Sequence, residues 1–418
     1  MKIRTPQYYK DFKCIAGACT DTCCAGWDVD VDKDSYKYYK TVKGAFGKRL
    51  KSVMVPSEDG GCTFTLNKGR CPFLNEKNLC DLYTELGEDK LCETCAEFPR
   101  FINEYGNVRE IGIAPSCKTA GELIFNFKDR LTFDMEDDGK PVASYNDIDG
   151  FLYMQLLRAR EIAYDIVQDE DFTPDECCIL LLDYACRIQK HMDKERDELI
   201  ENVVYAFMEK GYRMMALDKV RRKFDAAACD GGAGNKKEAA IGESVLGSRQ
   251  KICNSALKGG YAYISRYFDE FKGMEVINPD WYKYLDIQKE FIDKCTADGG
   301  EEYYRKSYTE FDEYYKNREF EYRQLLMYYV YRYFLDAVYD YNLVLKVKNG
   351  IIGYIVLKHL DVAAWRHNNN ELGKEEQIDI AHLYSRQFEH SYTNFEKYSE
   401  MFCSKRCYSI NSLMKLLM

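Results

Sequence analysis

The sequence predicts a mainly α protein in which a loop-rich, cysteine-containing metal-binding N-terminal domain precedes a helical domain. Three observations lead there. From about residue 150 onward, apolar residues recur at helical spacing. No stretch alternates apolar and polar residues for long enough to predict a large sheet. Ten of the 18 cysteines and five of the eight prolines fall within the first 117 residues, a composition typical of loops held by metal rather than by a large core. The expected division is 1–125 for the cysteine-rich part and 126–418 for the helical part.

In chain order, the spacing predicts short helices over 33–53 and 80–98 and a short strand over 107–114 ("NVREIGIA"). Helices follow over 149–169, over 175–224 as a pair, over 248–273 and over 279–295. The segment 225–243 reads as a flexible linker. The strongest helical stretch is 308–340. Overlapping its end, "LLMYYVYRYFLDAVYDYNLVL" at 325–345 is apolar but carries Arg332, Asp336 and Asp340, so it predicts a core helix rather than a membrane span.

At 418 residues and 46% hydrophobic, the chain is long and apolar enough for a sizeable core. Its net charge of −10 argues against a nucleic-acid partner, which needs a basic face. No apolar leader opens "MKIRTPQYYKDFKC", and the expectation is a cytoplasmic protein with no membrane partner. The sequence leaves the oligomeric state open. The 35 tyrosines suit a protein-binding surface, or reflect biased composition.

In a reducing compartment clustered thiols point away from disulfides and toward metal. "KCIAGACTDTCCAGW" places four cysteines within eleven positions, and further cysteines follow at Cys71-x8-Cys80, Cys92-x2-Cys95 and Cys117. Thiolate suits zinc and iron–sulfur clusters alike. Adjacent Cys23 and Cys24 rarely both reach one tetrahedral zinc, which favours a cluster, but the spacing leaves zinc and unligated thiols open. Cys19-x3-Cys23 begins the C-x3-C-x2-C loop of radical chemistry, yet the third position is Gly26, so that chemistry is excluded. "GGAGN" at 231–235 follows no apolar strand and makes a poor phosphate loop.

"FKCIAGACTDTCCAGWDVDVD", "CPFLNEKNLCDLYTELGEDKLCETCAEFPR", "PSC" at 115–117 and "YSRQFEHSYTNF" at 384–395 together resemble the flagellin lysine N-methylase family. The resemblance implies methyl transfer from S-adenosylmethionine to lysine side chains of flagellin, with a [4Fe-4S] cluster. Cys14, Cys19, Cys23, Cys24, Cys71, Cys80, Cys95 and Cys117 match the family's recurring cysteines, whereas Cys62 and Cys92 fall outside that pattern. The alternative is a protein-binding scaffold stapled by zinc or a cluster, without catalysis; an electron-transfer or redox-sensing protein is a third reading.

In "YSRQFEHSYTNF", Arg386, Glu389, His390 and Asn394 stand at i, i+3, i+4 and i+8, one face of a helix. A lysine near its ordinary pKa of about 10.4 must lose a proton before it attacks a methyl group. Glu389 and His390 are the candidate proton acceptors. Arg386, with Asn394 and Arg100, is the candidate for holding the cofactor's carboxylate. The same polar set lies opposite Ile378, Ala381, Phe388, Tyr392 and Phe395, as an ordinary solvated face would. Trp27 either shields a metal or packs in the core. His191, His359, His367 and His382 show no ligand spacing.

Overall fold

The computed structural model describes residues 1–142, 148–229 and 260–418. The 231–235 loop, most of the 225–243 linker and the first half of the helix expected over 248–273 lie outside the described residues.

The front of the chain is built on two small sheets rather than on loops alone. β1 (Lys2–Pro6) comes first, followed by β2 (Val29–Val31), α1 (Lys33–Thr41), α2 (Gly44–Val53), β3 (Met54–Pro56) and β4 (Cys62–Phe64). Asp32 starts α1 by accepting hydrogen bonds from the Asp34 and Ser35 amides. β2, β4 and β3 form an antiparallel sheet in that order. α3 (Asp81–Leu86), α4 (Glu93–Glu97), β5 (Arg100–Tyr105), β6 (Val108–Ile113), α5 (Lys118–Asn126) and β7 (Phe133–Asp137) complete this part. β5, β6, β1 and β7 make a second sheet, in which β1 pairs parallel to β6 and antiparallel to β7.

The expected metal-binding N-terminal domain is corrected here. Among the described residues, no group of three or more histidine, cysteine, aspartate or glutamate side chains is placed to hold a metal ion. An apolar core occupies that place: Val29, Val31, Tyr39, Leu50, Phe64, Phe73 and Leu82 pack with the buried thiols of Cys62, Cys71 and Cys92.

The rest is helical. α6 (Gly150–Val167) is capped by Asp149. α7 (Pro174–Met192) begins with Pro174 in its first turn and a reciprocal Thr173–Glu176 capping box. The helix pair expected over 175–224 is three helices, α7, α8 (Ile200–Met208) and α9 (Lys210–Cys229). Then come α10 (Gly260–Phe271), α11 (Trp281–Ala297), α12 (Glu301–Tyr315), α13 (Glu319–Tyr333) and α14 (Ala337–Asp340). Last are α15 (Leu343–His367), α16 (Lys374–Glu389), α17 (Tyr392–Ser404) and α18 (Ile410–Leu417).

α15 is the axis of the molecule. It is buried along almost its whole length and packs against α7, α11 and α13. Gly350 and Gly353 let α13 approach: a Cβ at Gly350 would stand 2.6 Å from the Tyr329 Cβ. Most of the large fully buried side chains are tyrosines, among them Tyr184, Tyr267, Tyr328 and Tyr354, so much of the tyrosine content is core. A buried Arg160–Glu110 fork (2.6 and 2.5 Å) joins α6 to β6. The Tyr331 hydroxyl donates to the Arg4 carbonyl at 2.7 Å and ties α13 to β1. No helix among the described residues is long and apolar enough to cross a membrane.

Candidate functional site

Residues 384–395 do not form one helix. α16 stops at Glu389, His390 leaves the helical conformation (φ −120°, ψ 5°), and Ser391 caps α17 by accepting from the Asn394 amide at 3.1 Å. The polar face expected to be solvated is turned inward: Arg386 is 2% exposed and Asn394 fully buried.

The Glu389 carboxylate is the hub of this junction. It accepts from the Tyr328 hydroxyl (3.0 Å to both oxygens), the Tyr333 hydroxyl (2.6 Å) and the Ser385 hydroxyl. Arg332 Nη1 stands 3.3 Å away. Arg332 also donates to the Tyr328 hydroxyl and lies over the rings of Phe101 (5.0 Å) and Tyr333 (5.1 Å). Burial pushes both tyrosine hydroxyls well above their ordinary pKa, so they stay protonated donors.

His390 completes an aromatic wall. Its ring stacks on Trp27 (centroids 5.7 Å, interplanar 21°) and meets the edge of Phe98 at 5.4 Å. Burial, helped by the positive charges of Arg332 and Arg386, pushes its pKa down to about 3. The imidazole is therefore neutral near pH 7, and its buried Nε2 has no hydrogen-bond partner among the described residues.

Arg386 faces the cysteine loop. Its Nη1 meets Asp21 at 2.6 Å, its Nη2 donates to the carbonyls of Ala25 (2.8 Å) and Thr22 (3.3 Å), and it lies 4.2 Å over the Trp27 ring. Asp21 also meets His382 Nε2 (2.6 Å) and accepts from Asn278 (2.8 Å). Burial would raise its carboxyl pKa. The His382 hydrogen bond and the Arg386 charge outweigh that and hold it well below the usual carboxylate range. Gly26 lets this loop close on the 275–278 segment: it sits at φ +94°, and an added Cβ would lie 2.6 Å from the Ile277 carbonyl.

Asn394 joins α17 to its surroundings, donating to the carbonyls of Gln387 (2.9 Å) and Glu275 (2.8 Å) and accepting from the Glu275 amide (3.0 Å). Arg100 belongs to a different neighbourhood, with Tyr9 (2.9 Å), the Ala96 carbonyl (3.3 Å) and the Phe12 ring (5.3 Å). The structure thus brings together Glu389, His390, Arg386 and Asn394 and leaves Arg100 apart. The cofactor expectation is corrected with it. The three side chains assigned to S-adenosylmethionine, Arg386, Asn394 and Arg100, already have protein partners.

The metal expectation fails residue by residue. Cys14 is exposed, and Cys71 is packed in the small core, where burial pushes its thiol up to about 12. Burial likewise raises the thiols of Cys19, Cys80 and Cys117. Cys23 and Cys24 share a hydrogen bond, as do Cys92 and Cys95. In each pair one thiol is lowered, Cys24 to about 7, and its partner raised. Among the described residues no group of three or more such side chains is placed to hold a metal ion, as a [4Fe-4S] cluster or zinc requires, and the metal-stapled scaffold falls with it.

Tyr328, Arg332, Tyr333, Ser385 and Asp21 were not singled out by the sequence. The tyrosine-rich run of α13, with Tyr328 and Arg332 one turn apart, was the available clue.

A family model described as the FliB lysine N-methylase C-terminal domain matches residues 160–416. The chain is 29% identical over 135 residues to the Flagellar biosynthetic protein FliU of Salmonella muenchen, covering 31% of this chain and 80% of that protein. It is 28% identical over 135 residues to the Lysine-N-methylases of Salmonella choleraesuis (strain SC-B67) and Salmonella typhimurium (strain LT2). Those alignments cover 31% of this chain and 34%, about a third, of each relative. No solved structure matches the chain.

Proposed function

Since this chain belongs to the FliB lysine N-methylase family, we propose that it transfers methyl groups to lysine side chains, and that its protein substrate is flagellin. Two curated relatives carry the name Lysine-N-methylase and a third is named for flagellar biosynthesis, which supports both halves of the reading. The observation that carries the site is the Glu389 carboxylate, ringed by tyrosine hydroxyls beside the neutral His390, all within the matched 160–416 span, against an aromatic wall from the N-terminal part of the chain.

The chemistry follows from those groups. A lysine arrives as an ammonium ion, which the negative charge of Glu389 attracts. His390 adds no positive charge of its own, because burial keeps it neutral, and its unpartnered Nε2 is the ring atom that would meet the incoming amine. Glu389 takes the proton that the ammonium must lose. The freed lone pair forms the new nitrogen–carbon bond as the bond between the methyl carbon and its donor breaks, and the donor leaves with the electron pair of that broken bond. Arg332 and the two tyrosines orient the carboxylate. Arg386 holds the Trp27 loop through Asp21, making it a positioning residue.

The test uses purified full-length protein, flagellin and isotope-labelled S-adenosylmethionine supplied as methyl source, with lysine peptides read by mass spectrometry. Labelled methyl-lysine in flagellin is the expected result. Unmodified flagellin, with the enzyme shown to be folded, would overturn the reading.

A further inference from the structure

A cavity lies between α7, α8 and α9, far along the chain from Glu389. Its volume is about 240 Å³. Arg187, Lys190 and His191 of α7, Asn202 of α8 and Tyr212 of α9 line it, over a floor that includes Val203. Every polar side chain in that lining can donate a hydrogen bond, and none is a carboxylate. Asp183, one turn back on α7, is already engaged: it accepts from Arg187 Nε at 2.8 Å. Arg187 Nη1 donates to the Tyr212 hydroxyl at 3.0 Å, and the guanidinium lies 5.8 Å from the rings of Phe207 and Tyr212. The arginine is therefore held in place before any ligand arrives, which lowers the ordering cost of binding.

Lys190 and His191 lie in the last turn of α7, where positive charge complements the helix dipole. That accounts for their sign. It does not account for the cavity, or for Arg187 being held a turn earlier by Asp183 and Tyr212. In a chain of net charge −10, a pocket with two cationic side chains and no carboxylate in its lining is also not a by-product of overall composition.

We propose that this cleft binds a small anion carrying a phosphate or carboxylate group. Its size sets the class. Drug-sized ligands occupy pockets of roughly 300–1,000 Å³, so a cavity of about 240 Å³ takes one anionic group with a small organic body. Arg187 presents its planar fork, while Lys190 and His191 close over the anion from the helix end. The site is independent of the methyl-transfer reading.

The test is calorimetric titration of the full-length protein with inorganic phosphate and, separately, with citrate, at an ionic strength fixed by sodium chloride. The expected result is saturable binding of at least one of them, at one site per chain. Lys190 is exposed and His191 only half-buried, so Lys190→Gln and His191→Gln leave the fold intact, checked by the melting temperature without ligand. Each should weaken binding about tenfold or more, as loss of one charge-assisted hydrogen bond does. Binding of phosphate alone assigns the phosphate class, and binding of citrate alone the carboxylate class. Absence of saturable binding for both, or affinities unchanged in both variants, would overturn the proposal.

Discussion

His390 sits between Trp27 and Phe98 with an unpartnered ring nitrogen, and burial holds its pKa near 3, against about 6.5 for a free histidine. Between those two values the unfolded chain binds a proton that the folded chain refuses. The stability contributed by neutral His390 is thus complete above pH 6.5 and is lost as pH falls toward 3, by about 1.4 kcal/mol per unit for a fully excluded proton. Denaturant titrations at pH 7 and pH 5 should show a smaller loss for His390→Gln than for the parent. An equal loss would mean that the imidazole protonates freely. The two neighbouring residues show why the sequence could not rank these groups. Spacing identified Glu389 and His390, but their chemistry depends on Tyr328, Tyr333 and Trp27, brought from 55 or more positions away.

At the scale of elements, α15 explains both the packing and a failure of sequence pattern. Helical periodicity marks helices with one buried face. α15 is buried along almost its whole length, so it carries no amphipathic rhythm and was not predicted, whereas helices with one exposed face, such as α11, were. The three-stranded sheet escaped for a related reason: β2, β3 and β4 are three residues each, too short for alternation to register, whereas β6 falls on the strand expected over 107–114. The break between α16 and α17 was hidden because Ser391 caps the second helix within an otherwise helical pattern. The glycines of α15 yield a direct test of the α13 contact. Gly350→Ala would drive a methyl into Tyr329 and should destabilise by about 1–3 kcal/mol, as overpacked cores do. Thermal melting checks it, and an unchanged melting temperature would mean that α13 and α15 are less tightly apposed.

On the scale of the whole molecule, Asp21 clasps the N-terminal loop to α16 through His382 and Arg386, while Asn278 adds a third segment. Replacing it by Asn leaves the 2%-exposed Arg386 without its counter-charge, a loss of about 3 kcal/mol by analogy with broken buried pairs. Limited proteolysis of Asp21→Asn should show new cleavage within residues 13–27, with the helical remainder resistant. Protection equal to the parent's would assign the loop's order to other contacts. The cysteine spacing drew attention to this loop for a metal. The groups that dock it are an aspartate, an arginine and a histidine, the first more than 350 positions from the other two in the chain.

The central claim is that the Glu389 junction performs methyl transfer, and its most direct measurement is the rate of lysine methylation on flagellin by Glu389→Gln, beside the parent and Lys190→Gln. The Glu389→Gln change keeps the size of the side chain and removes the proton acceptor, so the rate should fall by about 10²- to 10⁴-fold while the far-ultraviolet circular dichroism stays the same. Lys190→Gln should match the parent. A Glu389→Gln enzyme that methylates at the parental rate would contradict the account.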